Sequence, residues 1–187
     1  CYGDGLFYSK DRLQTLHPYV SPVDDQKTYE NDVVIGLVKG AYNCLYIGSL
    51  KGGVKELNLT SGKLRDLLLK DEDNESIYCR TLLFATDNEL WIGTESGAYI
   101  YNLRTGKYTH LRSSEYDPYS LSDNAIYSFC KDREDGIWIG SYFGGVNYYP
   151  RSYTHFEKYY PKGEENSLHG KRVREFCRAD DGTLWIG

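Results

Sequence analysis

The sequence predicts an all-β fold made of repeated four-stranded antiparallel sheets, and three observations carry that prediction. The first is a phrase that recurs four times: Leu45-Tyr46-Ile47-Gly48, Leu90-Trp91-Ile92-Gly93, Ile137-Trp138-Ile139-Gly140 and Leu184-Trp185-Ile186-Gly187. Its glycines lie 45, 47 and 47 residues apart, a period that suits propeller blades or helical solenoid repeats. The second is the pattern within one period. Between residues 126 and 160 there are four short runs, Ile126–Cys130, Ile137–Ser141, Val146–Tyr149 and His155–Tyr160, rich in aromatic and β-branched residues and too short for helices. The third is the turn chemistry that separates them: Asp135-Gly136, Gly144-Gly145, Pro150-Arg151-Ser152 and Pro161-Lys162-Gly163. Four hairpin-linked strands per period describe a propeller blade. Helical repeats would need apolar positions at i, i+3, i+4 and i+7 over a dozen residues, which the Gly, Pro and Asx clusters interrupt.

Taken in chain order, Gly5-Leu6-Phe7-Tyr8 aligns with Gly53-Val54-Lys55-Glu56, Gly97-Ala98-Tyr99-Ile100 and Gly145-Val146-Asn147-Tyr148, the third strand of a blade. Residues 1–20 are therefore expected to hold the two outer strands of a partial blade. Full blades follow at 31–67, 77–110 and 124–160, and residues 171–187 supply the two inner strands of another partial blade. The best helical candidate, Gly62–Leu69, fills a fourth-strand slot and reads as strand or loop. The expected fold is a β-propeller segment of about four blades. Its two partial blades could join in a tightly curved four-blade ring, but a fragment of a larger propeller is the preferred expectation. Such a fragment would present unpaired strand edges and open blade faces, through which copies could self-associate.

The recurring residues have a structural reading. A tryptophan in register on the second strand of each blade, with Tyr46 in its place in the first repeat, suits packing between adjacent blades. A sugar site would need such a residue once, not once per blade. The following glycines suit close strand approach or a bulge, and the Asp-Gly pairs are hairpin turns. Cys130 and Cys177 stand at the same repeat position, and both are expected as free, buried thiols; Cys1 lies apart from the pattern. None of the five cysteines has the spacing of a zinc site.

Several function classes lose support from composition. A net charge of −5 with scattered lysines and arginines gives no footprint for nucleic acid, and no run approaches the roughly 20 apolar residues of a membrane span. His17, His110, His155 and His169 share no nucleophile, and no paired carboxylates stand out, so no catalytic residue, cofactor or metal is assigned. The acidic run Asp71–Glu75 lacks the ligand spacing of an EF-hand and reads as a solvated loop between blades.

Binding residues are sought where the repeats differ, because loops carry function while blades supply rigidity. The loops joining second and third strands read Leu50-Lys51-Gly52, Glu95-Ser96 and Tyr142-Phe143-Gly144. Lys51, Glu95, Tyr142 and Phe143 are the candidates there. Tyr142 and Phe143 suit stacking on a sugar ring or a protein interface. Lys171 and Arg172, followed by Arg174, add a cationic rim that could hold an acidic or sulfated saccharide, or pair with Glu164 and Glu165.

The combination Ser120-Leu121-Ser122-Asp123-Asn124-Ala125-Ile126, Asp135-Gly136-Ile137-Trp138-Ile139-Gly140-Ser141 and Gly144-Gly145-Val146 resembles the two-component regulator propeller repeat. Ser167-Leu168, Asp181-Gly182 and Leu184-Trp185-Ile186-Gly187 resemble it as far as they run, whereas the repeats at 31–67 and 77–110 lack the Ser-Leu-Ser lead-in. The resemblance implies a segment of a seven-bladed propeller in the periplasmic sensor of a hybrid two-component system. In that family a membrane span and a cytoplasmic histidine kinase follow, and breakdown products of polysaccharides switch on the genes for their use. The implied ligand is an oligosaccharide, the implied location of this segment is periplasmic with the parent protein in the inner membrane, and any membrane contact belongs to the rest of the parent chain. Two other expectations stand beside this one: a protein-interaction scaffold without a small ligand, and a secreted propeller enzyme acting on glycans.

Overall fold

The computed structural model of the chain describes residues 5–23, 32–151, 159, 161, 165, 167–170 and 172–187. The described residues form strands, turns and bends, with no helix among them. Two short strands, β1 (Phe7–Tyr8) and β2 (His17–Pro18), pair antiparallel. A four-stranded meander follows: β3 (Val34–Lys39), β4 (Cys44–Ser49), β5 (Val54–Asn58) and β6 (Leu64–Leu68). The second meander has β7 (Cys79–Thr86), β8 (Glu89–Thr94), β9 (Gly97–Asn102) and β10 (Tyr108–Leu111). A third sheet has β11 (Ile126–Lys131), β12 (Ile137–Ser141) and β13 (Val146–Tyr149), and a hairpin of β14 (Phe176–Arg178) and β15 (Leu184–Ile186) comes last. This is the all-β, antiparallel architecture of a propeller segment. The stretch that most resembled a helix is strand β6. The fourth strand expected over 155–160 lies outside the described residues, apart from Tyr159.

Strand alternation explains how the sheets stack. On β4, Ile47 points to one side and Tyr46 to the other, as the period of two requires. Ile47 is fully buried with Leu6, Leu57 and Leu64, which seats β1–β2 against one face of the first meander. Tyr46 joins Leu90, Ile92, Tyr99 and Tyr101 in the core between the first and second meanders. The next core repeats the arrangement, with Trp91 and Ala98 of the second meander against Ile126, Ile137 and Ile139 of the third sheet. Two glycines of the recurring phrase, Gly48 and Gly93, face the neighbouring sheet at close range. A Cβ on Gly48 would collide with Cys79 Sγ, and one on Gly93 would lie 2.9 Å from Ile126 Cγ2.

The recurring aromatic is the blade-to-blade contact in two of its four copies. Tyr46 meets the edge of Phe84 at 5.1 Å, and Trp91, 1 % exposed, meets Phe129 at 5.7 Å and Tyr149 at 5.1 Å. Trp138 and Trp185 depart from the expectation: they are 45 % and 68 % exposed. Trp138 packs instead on Tyr148 of its own sheet, centroids 4.7 Å apart.

The cysteine expectation is corrected for the same reason. Cys130 and Cys177 carry free thiols but are exposed rather than buried. Cys130 lies opposite Trp138, and Cys177 opposite Trp185, in the register that sets Val38 opposite Tyr46 and Leu83 opposite Trp91. Val38 and Leu83 are packed against the following sheet's core. The position is a core position wherever a neighbouring sheet covers it, and among the described residues none covers these two.

Candidate functional site

The loops that vary between repeats are tight hairpins of one design. Ser49 N–H donates to Gly53 O at 2.9 Å and Ser141 N–H to Gly145 O at 2.9 Å, while Thr94 Oγ1 donates to Gly97 O at 2.8 Å. Gly53, Gly97 and Gly145 all adopt positive φ, and a side chain on Gly53 would strike the Leu68 carbonyl, so glycine is required where the third strand begins. Each outer hairpin is also tied to the segment entering its own sheet: Leu50 N–H to Val33 O at 3.0 Å, Tyr142 N–H to Ala125 O at 2.9 Å. These turns hold their tip residues on a fixed backbone.

The lead-in of the third sheet fastens its hairpin further. Leu121 is buried in the core between the second and third sheets. Asn147 Oδ1 accepts from Ser122 N–H at 3.0 Å and its Nδ2 donates to Ser122 Oγ at 2.9 Å, while Ser122 Oγ donates to Gly144 O at 2.7 Å. Asn124 Oδ1 accepts from Ser113 N–H at 2.7 Å, and Asp123 Oδ2 from Phe143 N–H at 2.9 Å. The Phe143 N–H, followed by that of Ala125, holds the Asp123 carboxyl below its ordinary value. Ser122 and Asp123 of the Ser-Leu-Ser-Asp-Asn lead-in thus clasp residues 143–147, while Ser120 and Asn124 tie the lead-in to residues 113–117.

Tyr142 and Phe143 project from that clasp, 60 % and 86 % exposed. Their rings meet edge to face at 4.5 Å. Tyr142 leans on Tyr127, centroids 5.1 Å apart and planes at 35°. The Tyr127 hydroxyl donates to Glu95 Oε1 at 3.2 Å, and desolvation followed by the Glu95 charge raises its pKa, which keeps it a donor. Glu95 forms an ion pair with Arg80, whose guanidinium carbon lies 4.9 Å from the Tyr127 ring centroid, a cation–π contact. The structure therefore joins Glu95 of one hairpin to Tyr142 and Phe143 of the next through Arg80 and Tyr127.

The other residues singled out in the sequence are not joined to this cluster by any contact among the described residues. Lys51 is exposed on the hairpin of the first meander, its N–H donating to Asp32 Oδ1 at 3.1 Å. Arg172 is exposed ahead of β14. Lys171 lies outside the described residues.

Arg80 and Tyr127 escaped the sequence reading, although a signal for them exists. Near the start of β3, β7 and β11 the ladder skips one residue: between Val34 and Gly36, between Cys79 and Thr81, and between Ile126 and Ser128. The skipped residues are Ile35, Arg80 and Tyr127. Each sits between an apolar and a small residue, and its identity differs in every copy. A one-residue bulge turns a side chain out of the alternation, here beside the neighbouring hairpin.

The acidic run is an exposed turn between the first and second meanders, as expected, and it is internally hydrogen-bonded. Asp71 Oδ1 accepts from Asp73 N–H at 3.0 Å and Glu75 N–H at 2.8 Å, and Glu72 Oε2 is 3.0 Å from His110 Nδ1. His110 stacks on buried Tyr99, centroids 3.8 Å apart, and its Nε2 is 3.0 Å from Ser96 O. No group of three His, Cys, Asp or Glu side chains among the described residues could hold a metal ion.

Clefts among the described residues lie elsewhere. One of about 590 Å³ runs between β1–β2 and the first meander, walled by Leu6, Tyr8, Tyr19, Leu45 and Leu57. Its wall is the hydrophobic seam between two sheets, with Lys10, Thr60 and Ser61 also among its lining residues. Another, of about 420 Å³, lies between the second and third sheets and is lined by Arg112, Asp117, Asn147 and Tyr149 among others. Neither is lined by Lys51, Glu95, Tyr142, Phe143 or Arg172.

Comparison with known proteins agrees with this architecture. Residues 120–143, the clasp and its two inner strands, match the model of the two component regulator propeller family. No curated protein matches the chain. Two crystal structures of the extracellular domain of BT4673 from B. thetaiotaomicron are similar in fold. One, described as a putative one component system, is 21 % identical with a TM-score of 0.63; the other, described as a putative hybrid two component system, is 20 % identical with a TM-score of 0.64. Both matches cover 99 % of this chain and 24 % of that domain, so the chain spans about a quarter of its length. Residues 120–143 are thus similar to a two component regulator propeller repeat, and the sheets around them share the fold of those extracellular domains.

Proposed function

We propose that the chain is part of the ligand-sensing propeller region of a hybrid two-component sensor, and that the ligand is an oligosaccharide. The observation that carries the reading is the pair of exposed aromatic rings, Tyr142 and Phe143, held by a clasp within the residues that match the regulator propeller model. A rigid backbone presenting exposed rings beside a carboxylate and a guanidinium suits a sugar, which offers an apolar ring face and hydroxyl groups together. The likeness in fold to the extracellular domain of a putative hybrid two component system supports a location on the outer side of the membrane, in the periplasm. In this reading the segment performs no chemistry. The parent protein, a histidine kinase in the inner membrane, passes the signal to genes for polysaccharide use.

The test is calorimetric titration of the purified chain with oligosaccharides from the main plant and animal glycan classes. Saturable heat with one class supports sensing. No heat with any class overturns direct sensing and favours a surface that docks another protein through the same rings. Hydrolysis or elimination of a glycan would establish the enzymatic alternative instead.

A further inference from the structure

We propose that Arg80, Glu95, Tyr127 and Tyr142, with Phe143 at the rim, form a shelf that takes a neutral sugar ring and turns away acidic or sulfated ones. The inference rests on the oligosaccharide-sensing reading and specifies the class of ligand. The Arg80 guanidinium is already occupied: it is paired with Glu95 and lies over the Tyr127 ring. An anionic sugar would have to displace a carboxylate to reach it. Glu95 is partly exposed at the shelf, its side chain 35 % accessible, and its charge repels a uronate or sulfate at short range. The oxygen capacity that Glu95 does not spend on Arg80 and Tyr127 accepts from sugar hydroxyls, which donate whether or not the sugar carries an acid group. The cationic rim anticipated at Arg172 has no contact with this cluster among the described residues.

Shape agrees with charge. Tyr127, 41 % exposed, and Tyr142, 60 % exposed, incline at 35° with their centroids 5.1 Å apart. Together they present a shallow apolar trough about the width of one ring. The two floor residues, Arg80 and Tyr127, are the bulged residues of successive inner strands. Bulges re-aim side chains and are over-represented beside functional sites. The shelf thus draws on two sheets, and a ligand on it would bridge them.

The test uses the whole chain and two probe sets: neutral xylohexaose, cellohexaose, mannohexaose and arabinohexaose against trigalacturonate and a chondroitin sulfate hexasaccharide. A neutral probe is expected to bind. Tyr142→Ala and Tyr127→Ala are each expected to weaken it about tenfold or more, the loss of one anchoring contact. Tyr127→Phe keeps the ring and is expected to stay within about threefold of the parent. Glu95→Gln removes the repelling charge and is expected to admit trigalacturonate. Circular dichroism and a thermal melt verify that each variant is folded, and Tyr142, whose side chain lies outside every core, carries the decision if Tyr127→Ala is not. Binding confined to the acidic probes overturns the charge assignment and leaves the sensing reading standing. A neutral probe that binds Tyr142→Ala as tightly as the parent overturns the shelf as its site. Silence with every probe overturns the sensing reading, and this inference with it.

Discussion

Trp91 and Trp138 stand at the same place in successive repeats, each the second residue of the recurring phrase and each opposite an apolar position of the strand before it. Trp91 is 1 % exposed and clamped by Phe129 and Tyr149; Trp138 is 45 % exposed and leans on a tyrosine of its own sheet. Both indoles donate to a carboxylate, Trp91 to Glu89 at 2.9 Å and Trp138 to Asp132 at 3.1 Å. The strand fixes where the side chain points, and the neighbouring sheet decides whether that direction is core or surface. Burial in a stacked array belongs to the interface, and the repeat supplies half of it.

The comparison breaks most readily at the tryptophans themselves. Trp91→Ala is expected to cost about 3–5 kcal/mol, the usual result of emptying a packed aromatic site. Trp138→Ala is expected to cost less than about 1 kcal/mol in this chain. Urea unfolding of the two variants measures the difference, and equal losses would mean that the third sheet is covered in solution. The glycines that follow sharpen the contrast. Gly93→Ala drives a methyl toward Ile126, including its carbonyl oxygen at 3.1 Å, and is expected to cost about 1–3 kcal/mol. Gly140→Ala meets only the Ser128 hydroxyl at close range, which can rotate away, so a loss within about 0.5 kcal/mol is expected.

Thiol labelling reads the same contrast without a mutation. Cys130 and Cys177 are expected to react with a soluble disulfide reagent in the native protein, whereas Cys44 and Cys79 react only on unfolding. Burial pushes the Cys79 thiol up to about 12, so it holds almost no reactive thiolate at neutral pH. The smallest effect is expected at the clasp. Asp123 titrates below its ordinary value of 3.8 because it accepts the Phe143 N–H. Its folded pKa is depressed, so the contribution is present above 3.8 and is lost as the pH falls through the lower folded value. The Phe143 amide resonance should shift in that window, and Asp123→Asn should abolish the titration.

Much of this fold was legible because periodicity survives divergence. The phrase around Tyr46, Trp91, Trp138 and Trp185 located the second strands, and the glycines at 53, 97 and 145 the starts of the third. The exposure of Cys130 was not legible, since it depends on a sheet packed against the strand and not on the strand. The candidate site was half legible. Glu95, Tyr142 and Phe143 drew notice by differing at one loop position, but Arg80 and Tyr127 lie within strands, where alternation predicts a regular ladder. The bulge that frees them comes from register between strands, which a single run of residues does not display. Lys51 and Arg172 show the opposite limit: a charge on a varied loop need not meet the other candidates.

The bulge also bears on how such an array changes over time. Ile35, Arg80 and Tyr127 are left out of the ladder and enter none of the three cores, so they are free to drift apart while Gly36, Thr81 and Ser128 beside them stay small. Duplicating a blade then duplicates a position whose occupant is independent of folding. A chain of such blades can acquire a new surface one side chain at a time, with every intermediate still folded.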